Sequence, residues 1–378
     1  MLAELQQRLG RLGRPHTAAD VAVAMRAMGL VVTDRSLREA LGQLRRHSVG
    51  AGPLEELLGQ EGVTDVLVNG PDQVVVDRGR GLEATGITFA DDEEVRRLAI
   101  RLAANAGRRL DDAQPFVDAR LPGGVRLHAV LAPTASPGTC ISLRIPGSRA
   151  LGLERLLELG SLSPLALRLC QALVASRVPY LVSGGTGTGK TTLLAAMLAR
   201  VPGDERIVLV EDSRELLPEH PHCVRLEARP ANSEGSGAIT LTTLVRQALR
   251  MRPDRLVLGE VRGAEVVDLL TALNTGHEGG CGTIHANSAD DVPARLEALA
   301  ALGGLGRAAC HAQVASAVRV VLHLRREADG KRRLAQLGVV RRSPEGMVTV
   351  VPAWCFEAGR DLPGPGEAEL QALLGCRP

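Results

Sequence analysis

Aromatic residues and a strong net charge are both lacking in this chain of 378 residues. It contains one tryptophan, one tyrosine and three phenylalanines, too few for the repeated aromatic surfaces on which single-stranded nucleic acids stack their bases. Its 45 basic and 43 acidic residues give a formal net charge of +2, so no general positive field attracts a polyanion. We therefore expect no stable binding of nucleic acid.

Long apolar segments and paired cysteines are also lacking. No apolar run approaches the roughly 20 residues that a membrane-spanning helix requires, and residues 1–13 are too charged for a secretory signal. The seven cysteines are an odd number and include no CxxC pair, which argues against a disulfide framework and against a zinc ribbon. These absences predict a cytoplasmic protein in a reducing compartment.

The order of predicted elements divides the chain into five parts. Helical patterns within residues 1–52 predict a small helical appendage, and mixed strands and a helix predict an α+β domain over 53–146. A Gly/Ser pair and a leucine-rich stretch predict a linker over 147–160. Strands that alternate with helices predict an α/β domain with a largely parallel sheet over 161–358. The Pro/Gly-rich residues 359–378 predict a mobile tail.

Individual elements are predicted from the spacing of apolar residues. In the appendage we expect helices over 1–12, 17–28 and 34–46. The following domain should hold strands over 65–70, 73–77, 125–131 and 140–145 and a helix over 93–106. The second domain should hold helices over 165–176, 191–200 and 241–251, and strands over 180–183, 207–211 and 255–259.

A complete G-x4-G-K-[ST] motif lies between a short apolar strand and a helix. Glycines let such a loop wrap phosphate oxygens with its backbone N–H groups, and the N-terminus of the following helix adds positive potential. Lys190, one of only two lysines, is expected to reach the β- and γ-phosphates, and Thr191 to ligate Mg²⁺. The motif predicts that ATP and Mg²⁺ bind to Gly184, Gly185, Thr186, Gly187, Thr188, Gly189, Lys190, Thr191 and Thr192.

Two carboxylates follow at the ends of apolar strands, Glu211 after 208–210 and Glu260 after 256–259. Because the carboxyl ends of parallel strands meet at one edge of a sheet, both acids should lie beside the glycine-rich loop. Either could accept a proton from the attacking water or hold the water shell of Mg²⁺. We interpret Glu211 as the general base and Glu260 as the Mg²⁺ partner, and the reverse assignment stays open.

Residues 275–288 concentrate histidine, glycine and hydroxyl side chains after a predicted helix. An imidazole can hydrogen-bond to a phosphate oxygen or to the water bound there, so His285 is a candidate sensor of the γ-phosphate. As metal ligands, His277 and His285 would need further ligands at suitable spacing. A catalytic role for His285 is the better interpretation.

Four motifs occur in the order typical of one family. The glycine-rich loop, residues 211–216, 249–263 and 275–288 resemble the Walker A motif, the Asp box, the Walker B motif and the His box of the type II/IV secretion ATPases. Within that family the chain is most similar to the Flp/Tad pilus-assembly branch, the TadA/CpaF-like ATPases, including an actinobacterial type associated with conjugal transfer.

This resemblance implies a RecA-like ATPase domain preceded by a smaller, PAS-like N-terminal domain. It also implies a homohexamer at the inner face of the cytoplasmic membrane, with platform proteins of a pilus or secretion system as partners. Arg126 and Arg144 occupy the positions of arginines that contact the nucleotide, with Arg120 as a third candidate. One departure is the sequence Gly-Cys-Gly at 280–282, which we expect to loosen the His box.

Three functions remain open at this stage. The resemblance favours an ATP-driven motor for pilus assembly or protein secretion. The alternative is a DNA-translocating motor associated with conjugal transfer, which the neutral charge and the scarce aromatics disfavour. A third is a nucleotide-binding regulator without turnover, against which the pair Glu211 and Glu260 argues.

Overall fold

The computed structural model describes residues 17–30, 32–33, 36–37, 50–79, 81–145, 151–229, 231, 236–327, 329–357 and 359–375. The chain divides into two compact units, Met1–Gly147 and Ser148–Pro378. Among these described residues, no helix is both long and apolar enough to cross a membrane.

The first described helix is α1, Ala18–Ala27, which belongs to the predicted appendage. Its start is fixed by a capping box, in which the Thr17 hydroxyl accepts from the Asp20 N–H and the Asp20 carboxylate accepts from the Thr17 N–H. The helix predicted over 17–28 is thereby confirmed. The predicted helix over 1–12, and most of the one over 34–46, lie outside the described residues.

The first unit contains a six-stranded antiparallel sheet with the order β3-β2-β1-β6-β5-β4. Side chains alternate between its two faces, and Val66, Leu127 and Leu143 point from three of its strands into the core beside a helix. This is the predicted α+β arrangement. Its elements are α2 Glu55–Leu58, β1 Asp65–Asn69, β2 Val74–Asp77, β3 Leu82–Ala84, α3 Asp92–Asn105, β4 Phe116–Arg120, β5 Arg126–Val130 and β6 Cys140–Arg144.

The second unit is built on a nine-stranded sheet with the order β15-β14-β13-β12-β7-β11-β10-β8-β9. The strands from β12 to β9 in this order are parallel, and β13 to β15 add antiparallel strands at one edge. The strands are β7 Tyr180–Gly184, β8 Ile207–Glu211, β9 Cys223–Glu227, β10 Arg255–Val261, β11 Cys281–His285, β12 Val320–Arg326, β13 Arg332–Arg342, β14 Val348–Glu357 and β15 Arg360–Pro363.

Helices cover both faces of this sheet, because the central strands are apolar on both sides. Val182 packs into one core with α5 and α6, while its neighbour Leu181 packs into the opposite core with α8 and α9. The helices are α4 Leu153–Glu158, α5 Pro164–Ala175, α6 Lys190–Leu198, α7 Leu241–Ala248, α8 Glu265–Leu273, α9 Val292–Leu302, α10 Arg307–Ala317 and α11 Glu367–Leu374.

Two predicted boundaries are wrong. The predicted linker 147–160 contains α4, which buries Leu153 and Leu156 in the core of the second unit. The predicted mobile tail 359–378 contains β15, which pairs with β14, and α11, which buries Leu370 and Leu374. In the tail, Leu370 and Leu374 lie four residues apart, on one side of a helix, and such a pair is enough to anchor a short helix in an existing core. The proline and glycine residues of 359–378 favoured the prediction of a mobile segment instead.

Candidate active site

The glycine-rich loop connects the buried strand β7 to helix α6. Gly184 ends the strand at a point of close approach, since a Cβ atom there would lie 2.5 Å from the carbonyl oxygen of Leu324. Gly189 precedes α6 in the left-handed region, with φ +95°, and no side chain caps the helix. The N–H groups of the first turn of α6 are therefore available to an anion, as the motif predicts.

The threonines of the loop differ in their surroundings. Thr188 is buried and donates from its hydroxyl to the carbonyl oxygen of Gly185 at 2.9 Å, so its side chain stabilises the loop itself. Thr186 is exposed at the tip. Thr191 and Thr192 are half-buried in the first turn of α6.

Lys190 places a buried positive charge in this loop, with only 7% of the residue exposed. Its Nζ donates to the carbonyl oxygens of Gly184 and Gly185 at 3.0 and 2.7 Å and lies 3.5 Å from Nδ1 of His285. Within the described part of the chain it makes no ion pair with a carboxylate. Burial lowers the pKa of this ammonium, and the charge of Glu260 opposes that shift.

The predicted acids and the predicted histidine meet at the carboxyl edge of the parallel strands. Glu211 ends β8, Glu260 lies near the end of β10, and His285 ends β11. His285 is also the register partner of Gly184, the first residue of the glycine-rich loop. All three residues therefore lie at the edge of the sheet where the carboxyl ends of its parallel strands meet.

Glu260 is surrounded by groups that are cationic or able to become so. Its Oε1 lies 2.6 Å from Nε2 of His285, and its Oε2 contacts the guanidinium of Arg262. A second nitrogen of Arg262 lies 2.5 Å from Oδ2 of Asp212, so this arginine joins the ends of β8 and β10. Arg262 was not predicted as a site residue. Its position two residues after Glu260 is a usable signal, because residues i and i+2 of an extended chain share a face.

Glu211 has a different environment, with 3% of the residue exposed. Its Oε1 accepts from the N–H groups of Glu215 and Leu216 at 3.0 and 2.9 Å. Among the described residues, its buried Oε2 has no hydrogen-bond partner. Burial raises the pKa of this carboxyl to about 7, despite the two N–H donors. A carboxyl with this pKa can exchange a proton with water near neutral pH.

Two glycines on the strands of this site, Gly259 and Gly282, leave no room for a side chain. A Cβ atom at Gly259 would lie 2.5 Å from Cγ of Glu211, so any larger residue would displace the acid. A Cβ atom at Gly282 would lie 2.8 Å from the carbonyl oxygen of Leu258. The expectation that 280–282 loosens the His box is therefore wrong, because Cys281 and Gly282 belong to the buried strand β11 and are tightly packed.

His285 is about one-third exposed and lies between Lys190 and Glu260. Burial and the nearby charge of Lys190 lower its pKa. The neutral imidazole is therefore favoured, which leaves one ring nitrogen as a donor and the other as an acceptor.

Known proteins are similar to this chain over most of its length. The family model for the Type II/IV secretion system protein family matches residues 47–355. The chain belongs to this family.

Relatives of this secretion family include a putative conjugal transfer protein of Mycobacterium tuberculosis, 57% identical over 350 residues, with 91% of this chain and 98% of that protein covered. The type IV secretion system protein VirB11 of Brucella suis is 32% identical, with 68% of this chain and 78% of that protein covered. The crystal structure of the pilus retraction motor PilT with bound ADP matches with a TM-score of 0.52 at 19% identity, covering 83% of this chain and 82% of that one. The predicted RecA-like fold is confirmed.

The arginines that the family resemblance selects lie in the first unit, in one row. Arg120, Arg126 and Arg144 are register partners on the adjacent strands β4, β5 and β6, so their side chains leave the same face of the sheet. Nε of Arg144 lies 3.5 Å from Oδ1 of Asp65 on the next strand, β1. The row concentrates positive charge on the face opposite the apolar core of this unit.

The raised pKa of Glu211 predicts how the free energy of unfolding depends on pH. Its folded-state pKa of about 7 lies above the ordinary 4.5, so between these values the folded protein retains a proton that the unfolded chain has lost. The stability of the wild type should therefore fall as the pH rises through this window. Glutamine does not titrate. The free energy of unfolding of Glu211→Gln should thus increase relative to wild type by up to roughly 3 kcal/mol between about pH 4.5 and 7.5.

Urea denaturation of both proteins across this pH range measures the difference. Because every other titrating group is common to the two proteins, the difference between them isolates Glu211. A difference that stays constant with pH would contradict the environment assigned to this carboxyl.

Proposed function

We propose that this protein hydrolyses ATP as a motor of a secretion or pilus-assembly machine. The observation that carries the proposal is the buried ammonium of Lys190, which is held in a glycine loop by neutral carbonyl oxygens at the N-terminus of α6. A phosphate chain is the ligand that supplies the missing negative charge and also uses the helix N–H groups. The relatives that carry secretion and transfer names support this choice.

The residues present fit Mg²⁺ and ATP. The Thr191 hydroxyl and, through water, the Glu260 carboxylate would hold Mg²⁺, which when bound neutralises charge on the β- and γ-phosphate oxygens. Arg262 and His285 position Glu260 from two sides. The buried Oε2 of Glu211, without a partner among the described residues, is free to accept the proton of an attacking water. We therefore assign Glu211 as the general base and His285 as a group that senses the γ-phosphate.

The proposal extends to assembly and partners. We place the protein in the Flp/Tad pilus-assembly branch, the TadA/CpaF-like ATPases, as a homohexamer in the cytoplasm at the inner face of the membrane. Its partners there would be inner-membrane platform proteins, on which ATP-driven domain movements act. In such a ring the arginine row of the first unit completes the nucleotide site of its own or a neighbouring subunit.

A DNA-translocating motor is the second candidate, because the relative from Mycobacterium tuberculosis is described as a putative conjugal transfer protein. The formal net charge of +2 and the five aromatic residues weigh against it. Titration with single- and double-stranded DNA at several salt concentrations separates the two candidates. Tight, salt-sensitive binding that stimulates ATP hydrolysis would favour the second.

The two acids generate a first catalytic prediction. Glu211→Gln and Glu260→Gln should each retain nucleotide binding and lose at least about 100-fold in kcat, because an amide neither accepts the proton of water nor offers an anion to the metal's water shell. Steady-state phosphate release and equilibrium binding of a fluorescent ATP analogue measure the two effects. Exposed Glu357→Gln, on β14, is the matched control and should hydrolyse ATP as wild type does. Loss of nucleotide binding in both acid variants would show that these residues are structural.

The arginine row generates a second prediction. Arg126→Ala and Arg144→Ala should lower kcat about 10- to 100-fold without unfolding the protein, and lysine at either position should restore activity only in part, because it lacks the planar fork. The exposed Arg97 on α3, which pairs with Glu93, provides a control substitution in the same unit.

If a ring completes the site, turnover per subunit of the wild type should also rise with protein concentration. ATPase rates paired with light scattering test both points. Full activity in a dilute monomer would refute the ring.

A further inference from the structure

The turn between β12 and β13 concentrates positive charge. Residues 325–333 include five basic and two acidic side chains. In the ladder, Arg325 faces Arg333 and Arg326 faces Arg332, and like charges opposite each other on neighbouring strands are destabilising. The Arg325 charge is offset by Glu327 at 3.0 Å. For the side chain of the exposed Arg332, by contrast, no described residue provides a hydrogen bond or an ion pair.

Arg332 lies against the phosphate-binding loop of the same chain. A Cβ atom at Gly189 would lie 3.6 Å from Cδ of Arg332, which puts the arginine stem close to the residue that directly precedes α6. The core supports this placement. Leu334, two residues further along the strand, packs into the core that contains Leu193 of α6. Side chains two residues apart on a strand share a face, so Arg332 is on the face that carries α6.

The sheet order decides which end of a bound nucleotide Arg332 can reach. Glu211, Glu260 and His285 all lie on strands to one side of β7, and β12 and β13 lie to the other side. A phosphate chain whose γ-phosphate meets those three residues has its α-phosphate and ribose at the opposite end of the loop. The stem of Arg332 lies near the loop on that opposite side.

We propose that Arg332 binds the α-phosphate of the nucleotide held by the phosphate loop of its own chain. This inference rests on the proposed function. A guanidinium offers paired N–H donors that match two phosphate oxygens, and the bound phosphate would offset the repulsion between Arg326 and Arg332. Because the α-phosphate is present in both ATP and ADP and does not react, Arg332 sets nucleotide affinity without stabilising the transferring phosphoryl group.

The test is a comparison of kinetic constants for Arg332→Ala, Arg332→Lys and a matched control. We expect Arg332→Ala to raise the KM for ATP and the inhibition constant for ADP together, each by about tenfold, with kcat within about twofold of wild type. Arg332→Lys should give intermediate values, because it keeps the charge and loses the fork. The control is Lys331→Ala, which removes one positive charge from the same turn, where Lys331 is exposed and, among the described residues, forms an ion pair with Asp329. It should behave as wild type.

Several outcomes overturn the inference. Unchanged constants for ATP and ADP in both Arg332 variants would show that the arginine does not touch the nucleotide. A fall in kcat with an unchanged ADP constant would place it at the γ-phosphate. If Lys331→Ala changed the ATP and ADP constants as much as Arg332→Ala does, Arg332 would act only through the general positive charge of the turn. If Arg332→Ala fails to fold, Arg332→Lys decides alone. Absence of nucleotide binding by the wild type would overturn the proposed function and this inference with it.

Discussion

The site depends on a positive charge, that of Lys190, which is buried in the glycine-rich loop. Taking the Lys190 ammonium out of water is unfavourable, and carbonyl dipoles compensate for this only in part. The fold keeps the charge there in two ways. Gly184 packs closely against Leu324 of β12, and Leu193 and Leu194, in the first turn of α6 after the lysine, are buried in the core. The ammonium is thereby held against the carbonyl oxygens of Gly184 and Gly185. Under the proposed function, a phosphate group is the partner that supplies the opposite charge.

The two glutamates at this edge of the sheet, Glu211 and Glu260, have different surroundings. Glu260 contacts Arg262 and His285, and Arg262 also contacts Asp212, so this acid belongs to a charged network that spans β8, β10 and β11. Among the described residues, Glu211 accepts hydrogen bonds from two backbone N–H groups, and Gly259 packs closely against its side chain. Different environments for two carboxyls are the usual physical basis for different roles, one as an anion beside a metal and the other as a proton acceptor. This contrast supports the proposed assignment of Glu211 as the base.

Local chemistry explains what could be predicted from the sequence. The glycine-rich loop, the acids at strand ends and the α/β alternation are each specified by neighbouring residues, and the parallel sheet then brings Glu211, Glu260 and His285 together. Long-range packing explains what was missed. Strand β3 is three exposed residues without an apolar pattern, and α11 folds only because the core of the second unit accepts Leu370 and Leu374. Arg332 could not be predicted either, since the register of β13 on β12 places it beside Gly189 across about 140 residues of sequence.

The most direct measurement is the affinity of Lys190 variants for MgADP, determined by isothermal titration calorimetry. If the buried ammonium is the phosphate-binding charge, wild type should bind one nucleotide per chain. Lys190→Ala should bind about 50-fold more weakly or worse, because a hydrogen-bonded charge contact is lost from a buried site. Lys190→Arg should not restore the affinity, since a planar guanidinium does not fit the space between the carbonyl oxygens of Gly184 and Gly185. Binding by Lys190→Ala that equals wild type would contradict the account.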